Sequence, residues 1–316
     1  MPTMLHPTTT EHLGSPMVGA DESAYQSRPI KRPRRTRDEM QTIREGLYHI
    51  LEQDNPQTIR GIFYQAVTRG LVPKTEAAYK NTVIRLMGDM RKDGIIPYEW
   101  VADNTRWMRR PTAYGNPEDA LFHAWQYYRH DIWTDLDDYV EVWCEKDALA
   151  GVIYEETSVW CVPLMVSRGY SSLSFLHESG EYIARQAERG KTTYIYYFGD
   201  LDPTGVNISE TIQRGLEEYS GDAEVIFKRV AVTHEQVEML NLPTRPTKKT
   251  DTRAKTWEGE SVELDAIPAQ YIRYLVRSYI NEHIPEPMLD HLKTVEQNER
   301  AALYRIYELT RGASIQ

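Results

Sequence analysis

Apolar residues recur at spacings of three and four from position 38 onward. Met40, Ile43, Leu47, Ile50 and Leu51 trace one face of a helix that the pattern carries to about Asn55. A second helix is predicted over 58–69, stopped by Gly70. A third is predicted over 75–92, with Ala78, Val83, Leu86, Met87 and Met90 inward and Gly94 as its stop. The next run, IIPYEWVADNTRWMRRP, is rich in Ile, Val, Trp and Tyr, with Asp103 and Asn104 at a turn position, and reads as a β-hairpin. Three helices and a hairpin make a winged helix, expected over residues 37–115.

A helical linker, strongest over 116–133 and ending by residue 138, separates this from a different pattern. Strand-like runs appear at YVEVWC (139–144), VPLMV (162–166), TYIYYFG (193–199) and AEVIFKRVAV (223–232). Helical runs over 147–156, 172–189 and 206–219 alternate with them. That alternation implies an α/β domain over 139–316 with a mainly parallel sheet flanked by helices. Two or three further helices are expected over 268–309. In such sheets ligands bind where the strands end at their C-terminal edge, so chemistry is sought just after each strand.

Composition adds limits. The chain has 316 residues, enough for two domains of ordinary size or one large one, and at 41% hydrophobic and 27% charged it has the balance of a soluble globular protein. No apolar run approaches the roughly 20 residues that span a bilayer, and the first residues lack the pattern of a secretory signal. The two cysteines, Cys144 and Cys161, exclude a disulfide framework and are expected as buried thiols. A cytoplasmic, nucleoid-associated protein is expected. Residues 1–36, rich in Pro, Thr and Ser and ending in a basic run, read as a disordered arm. Net charge is −10, unevenly spread. The first 110 residues carry 17 basic and 13 acidic side chains, the remainder 20 and 34. Lys80, Arg85, Arg91 and Lys92 on the third helix, with Arg106, Arg109 and Arg110 in the hairpin, form the side expected to meet DNA phosphates.

Two strand ends carry acids. Glu145 follows YVEVWC, and Asp200 and Asp202 follow TYIYYFG in the run FGDLDPTG. Alternation in an extended segment puts Asp200 and Asp202 on one side, about 7 Å apart, and Glu145 can face them from the neighbouring strand. Converging carboxylates repel unless a cation joins them. Oxygen ligands without Cys or His select a hard ion such as Mg²⁺. The bland reading of the same residues is a strand-to-helix turn marked by Pro203 and Gly205.

EVWCEKDALAGV, followed about 55 residues later by YYFGDLDPTGVNI, resembles the Toprim domain of topoisomerase VI A subunits and their meiotic double-strand-break relatives. The resemblance places Glu145, Asp200 and Asp202 on the metal-binding acids, and Glu263 and Asp265 on a later acidic run. That family sets a winged helix before the Toprim domain, with a nucleophile in a run of the form Arg-x-x-Tyr/Phe-Tyr. In TIRGIFYQAV this matches Arg60 and Tyr64, with Gly61 where the family's pattern is usually acidic.

The implied activity is Mg²⁺-dependent cleavage of double-stranded DNA through a tyrosyl–DNA linkage by a homodimer, with metal on the partner subunit's acids orienting the scissile phosphate. The family's A subunits bind an ATPase B subunit. This chain carries no Gly-x-x-x-x-Gly-Lys loop, so strand passage alone is not expected, and it resembles the compact stand-alone relatives. Two alternatives stay open. One is a Toprim nuclease that uses water, with Tyr64 a core residue. The other is a non-catalytic winged-helix DNA-binding protein.

Overall fold

A computed structural model of the chain describes residues 35–102, 111–246, 257 and 259–313. The chain divides into two units, residues 1–40 and 41–316. Of the first, the described part is Arg35, Thr36 and the start of α1 (Arg37–Gln53), and the rest of the expected arm over 1–36 lies outside the described residues. Past residue 40 that helix buries Ile43, Leu47, Ile50 and Leu51, the stripe expected of it. Next comes α2 (Ile59–Thr68), and then α3 (Glu76–Ala78), which runs through a π-helical segment, Tyr79–Ile84, into α4 (Arg85–Lys92). Leu47, Ile62, Val83, Met87 and Met90 are fully enclosed in this helical group.

The expected hairpin begins differently. Tyr98–Trp100 forms a 3-10 turn, and Val101 makes an isolated parallel bridge with Gln57. Pro97, at φ −57° and without an N–H, sets up the turn and cannot join a ladder. The other half of the hairpin, with Arg106, Arg109 and Arg110, lies outside the described residues. The linker helix is also shorter than its pattern. α5 (Pro117–Tyr127) starts at an Asn116 cap with Pro117 in its first turn and stops at Tyr128, whose backbone is extended.

The remainder is α/β, with a four-stranded, all-parallel sheet flanked by helices. In chain order the elements are β1 (Asp138–Cys144), α6 (Ala150–Val159), β2 (Leu164–Val166), α7 (Leu173–Ala187), β3 (Thr192–Phe198), α8 (Pro203–Ser220), β4 (Val225–Ala231) and α9 (His234–Met239). Then follow α10 (Ala269–Asn281) and α11 (Glu286–Ala313). The strand order is β2-β1-β3-β4, with Cys144 opposite both Val166 and Phe198.

Alternation sorts the side chains between layers. Trp143, Ile195 and Tyr197 pack with Leu176 and Ile183 of α7 and Ile208, Ile212 and Leu216 of α8. Tyr196 points the other way, stacking on Tyr279 of α10 at 4.8 Å and meeting His283 through its hydroxyl at 2.6 Å. Cys144 is buried, whereas Cys161 is half-buried because it occupies the turn after α6 at φ 54° rather than a packed run. No described helix is long and apolar enough to cross a membrane.

Candidate acidic site and the tyrosine helix

Side by side, β1 and β3 end at the same level, so Glu145 and Asp200 meet at one edge of the sheet. The Glu145 Oε2 accepts from the Asp200 N–H at 3.1 Å. Gly199 leaves room for this contact, since a Cβ there would lie 2.7 Å from Glu145 Oε2. Asp202 turns to a structural task as well. It is the N-cap of α8, where Oδ1 accepts from the Gly205 N–H at 2.7 Å and Pro203 fills the first helical turn. Gly205 has no side chain because the Asp200 carbonyl occupies that space. The Asp-x-Asp-Pro-x-Gly run therefore has a local structural cause, while Asp200 faces the edge with its Oδ1 accepting from the Leu264 N–H at 2.7 Å.

Cations thread this acidic edge. Lys146 Nζ lies 2.9 Å from Asp200 Oδ1, 2.8 Å from Asp265 Oδ2 and 3.6 Å from Glu263 Oε2. Arg245 joins Glu263 Oε1 at 2.8 Å to Asp202 Oδ2 at 3.3 Å. From β4, Arg229 donates to the carbonyls of Gly199 and Asp200, and to Gly205 O at 3.2 Å, clamping the turn that carries the acids.

The tyrosine helix meets the same edge within one chain. Thr58 caps α2 by accepting from the Gly61 N–H at 2.9 Å and donates its own hydroxyl to Asp265 Oδ1 at 2.9 Å. A Cβ at 61 would lie 3.3 Å from Thr58 Oγ1, a close contact that the cap would have to yield slightly to admit. Arg60 grips Glu263 with two bonds of 3.1 Å. Its guanidinium lies 5.6 Å from the Tyr64 ring centroid and 4.6 Å from that of Tyr79. Lys74 lies 5.5 Å from the Tyr64 ring on its own approach, and donates to Pro243 O at 2.7 Å and to Thr244 O. Tyr64 itself is 3% exposed.

These contacts set the charge states. Burial pushes the Glu145 carboxyl up, and the Asp200 charge pushes it further, to about 7. Asp200 is also raised, by burial, although Lys146 works against that. Burial would raise Glu263 too, but Arg60, Lys146 and Arg245 overcome it and hold it at about 2. Burial first, then the Glu263 charge, push the Tyr64 phenol to about 12, with Arg60 pulling the other way.

Among the described residues, no three His, Cys, Asp or Glu side chains stand in a metal-holding arrangement. The donor set is nevertheless suited to a hard cation. It offers only carboxylate oxygens, and the Glu145 carboxyl is raised first by burial and then by the Asp200 charge, a repulsion that a divalent ion would relieve.

Of the residues expected to meet DNA, Lys80 is exposed and pairs with Glu76 at 3.3 Å, and Glu76 also touches Arg60 at 3.4 Å. Arg85 and Lys92, seven residues apart on α4, are exposed on one face. Arg91 is half-buried, its guanidinium 5.6 Å from the Tyr98 ring centroid. Sequence reasoning assigned no role to Lys146, Lys74, Arg229 or Arg245. Lys146 had a signal in its place beside Glu145 in the Glu-Lys-acid run, whereas the other three reach the site only through the fold. Compared with known proteins, the chain matches no family model, no curated protein and no solved structure.

Proposed function

We propose that the chain is a Mg²⁺-dependent DNA-cleaving transesterase with a winged-helix domain before a Toprim domain, acting on double-stranded DNA as a homodimer. The observation that carries this reading is the meeting of Arg60 and Tyr64, on one face of α2, with the acids at the ends of β1 and β3 through Glu263. Glu145, Asp200 and Asp202 are the residues that would hold Mg²⁺, and a bound ion would supply charge for the scissile phosphate. The Tyr64 oxygen forms a bond to phosphorus as the bond from phosphorus to the sugar oxygen breaks. The phenolic proton passes to the carboxylate cluster, and the departing hydroxyl takes one up. The phosphotyrosine conserves the bond energy, so the reverse attack reseals the strand. Arg60 balances charge on the phenolate and the phosphorane. Lys80, Arg85, Lys92 and the arginines at 106, 109 and 110 track the DNA backbone.

The test is incubation with supercoiled DNA and Mg²⁺ followed by denaturing capture. Wild type is expected to yield protein-linked, cleaved DNA, and Tyr64→Phe none. If Tyr64→Phe yields the same adduct, the nucleophile lies elsewhere.

A second reading is supported by the burial of Tyr64 and by its phenol at about 12, both adverse to attack. Here the acids serve a hydrolytic nuclease and the tyrosine is structural. Cleavage with free ends, equal in Tyr64→Phe and lost in Asp200→Asn, would select it.

A further inference from the structure

Away from the acidic edge, β1 turns Tyr139, Glu141 and Trp143 toward α7, as its two-residue repeat requires. Trp143 enters the core, but beside Glu141 a cavity of about 340 Å³ opens against Met165 of β2 and Phe175 and Tyr182 of α7. That volume falls in the range of small-molecule pockets, roughly 300–1,000 Å³.

Glu141 is 2% exposed and belongs to the lining. Its Oε1 accepts from the Tyr139 hydroxyl at 2.9 Å and its Oε2 from Trp143 Nε1 at 2.7 Å. Both donors are neutral, and among the described residues no basic side chain pairs with it. A carboxylate enclosed without a counter-charge either keeps its proton or recruits a cation. Burial raises its pKa, and the two hydrogen bonds oppose that rise.

The surroundings favour a cation with an apolar body. Tyr139 and Tyr182 form a ring pair at 5.5 Å, and Phe175 packs on Trp143 at the same distance. At the mouth Glu178 and Arg185 are both exposed, with Arg185 lying over the Tyr182 ring at 5.4 Å. A neighbouring cavity shares Tyr139 and Tyr182 and is lined by Asp131, Asp135 and Asp137 together with Arg189 and Lys191. The Lys191 ammonium is already taken up by the carbonyls of Trp133, at 2.6 Å, and Leu136. Glu141 is the buried carboxyl of this lining, held by two neutral donors and by no basic side chain among the described residues.

We propose that this cavity binds a small apolar amine, with its ammonium on the Glu141 carboxylate and its body against the rings of Tyr139, Phe175 and Tyr182. The rings add cation–π attraction to the ion pair. The site is separate from DNA cleavage and stands or falls independently of it.

The test is titration of the full chain with phenethylamine and with its neutral counterpart 2-phenylethanol, followed by calorimetry and by resonances of residues 139–143. Phenethylamine is expected to saturate at millimolar concentration or below, and 2-phenylethanol to bind at least about tenfold more weakly. Glu141→Gln is expected to weaken the amine at least about tenfold and leave the alcohol unchanged. Met165→Trp, which fills the cavity and leaves the Glu141 carboxyl in the sequence, is expected to weaken both. It decides the matter if Glu141→Gln does not fold. Failure of phenethylamine to saturate below about 10 mM, equal binding of amine and alcohol, or indifference to Met165→Trp overturns the proposal.

Discussion

Glu145 and Glu263 face one acidic edge yet are pushed in opposite directions. Glu145, at about 7 when folded, holds its proton more tightly than an unfolded glutamate near about 4.3. Its contribution to stability is complete below about 4.3 and is lost as pH rises through 7, a change on the order of 3 kcal/mol. Glu145→Gln is therefore expected to melt several degrees above wild type at pH 8 without divalent metal, and level with it near pH 4. Equal melting temperatures at pH 8 would contradict a carboxyl raised by burial and by the Asp200 charge. Glu263, at about 2, has the reverse sign, with a contribution present above about 4.3 and lost as pH falls toward 2. Glu263→Gln should be destabilised at pH 7 by denaturant titration, with the deficit narrowing below pH 4. The meeting of Glu145 and Asp200 was legible in the sequence because each directly follows its strand. The cations among them were not, since Arg245 and Lys74 arrive from segments far along the chain.

The helix that follows β3 gives Asp202 a task independent of any metal. As the α8 N-cap, it is expected to contribute about 1 kcal/mol. Asp202→Asn keeps an oxygen acceptor for the Gly205 N–H while removing the charge, so its melting temperature should stay near wild type, whereas Asp202→Ala falls. If cleavage is lost equally in both, the charge of Asp202 matters to the chemistry beyond the cap. If Asp202→Asn retains full cleavage, Asp202 only shapes the turn. At this scale the strands were readable to within about two residues, because the alternating region is dense in Val, Ile, Tyr and Trp. The third helix carried a sign that was easy to miss. Its inward residues Ala78 and Val83 are five apart, the spacing that the π-helical segment Tyr79–Ile84 imposes before the regular Val83, Leu86, Met87 and Met90. Pro97 likewise marked a turn where the richness in β-formers suggested a strand.

Across the chain, charged contacts fasten the N-terminal helices to the sheet region. Arg60 meets Glu263, Thr58 meets Asp265, and Arg273 on α10 reaches Asp54 at 3.0 Å and Glu155 at 2.8 Å. A double-mutant cycle over Arg60→Ala and Glu263→Gln is expected to show a coupling of roughly 1–3 kcal/mol in unfolding free energy. Additive effects would mean that the two residues do not act together in solution. The alternation of strand and helix foretold the α/β class, but nothing local foretold this fastening, which joins residues about two hundred positions apart. Lys146 shows what such self-sufficiency entails. Because its ammonium is already seated between Asp200 and Asp265, a divalent ion of the kind proposed would arrive as a rival for occupied ground rather than as a guest in an empty room. On the proposed function, the ion's hold would be a difference between two attractions, weaker while the lysine stays and stronger where a nearby polyanion draws it aside. Magnesium titrated with and without duplex DNA would reveal such teamwork as a tighter midpoint when DNA is present.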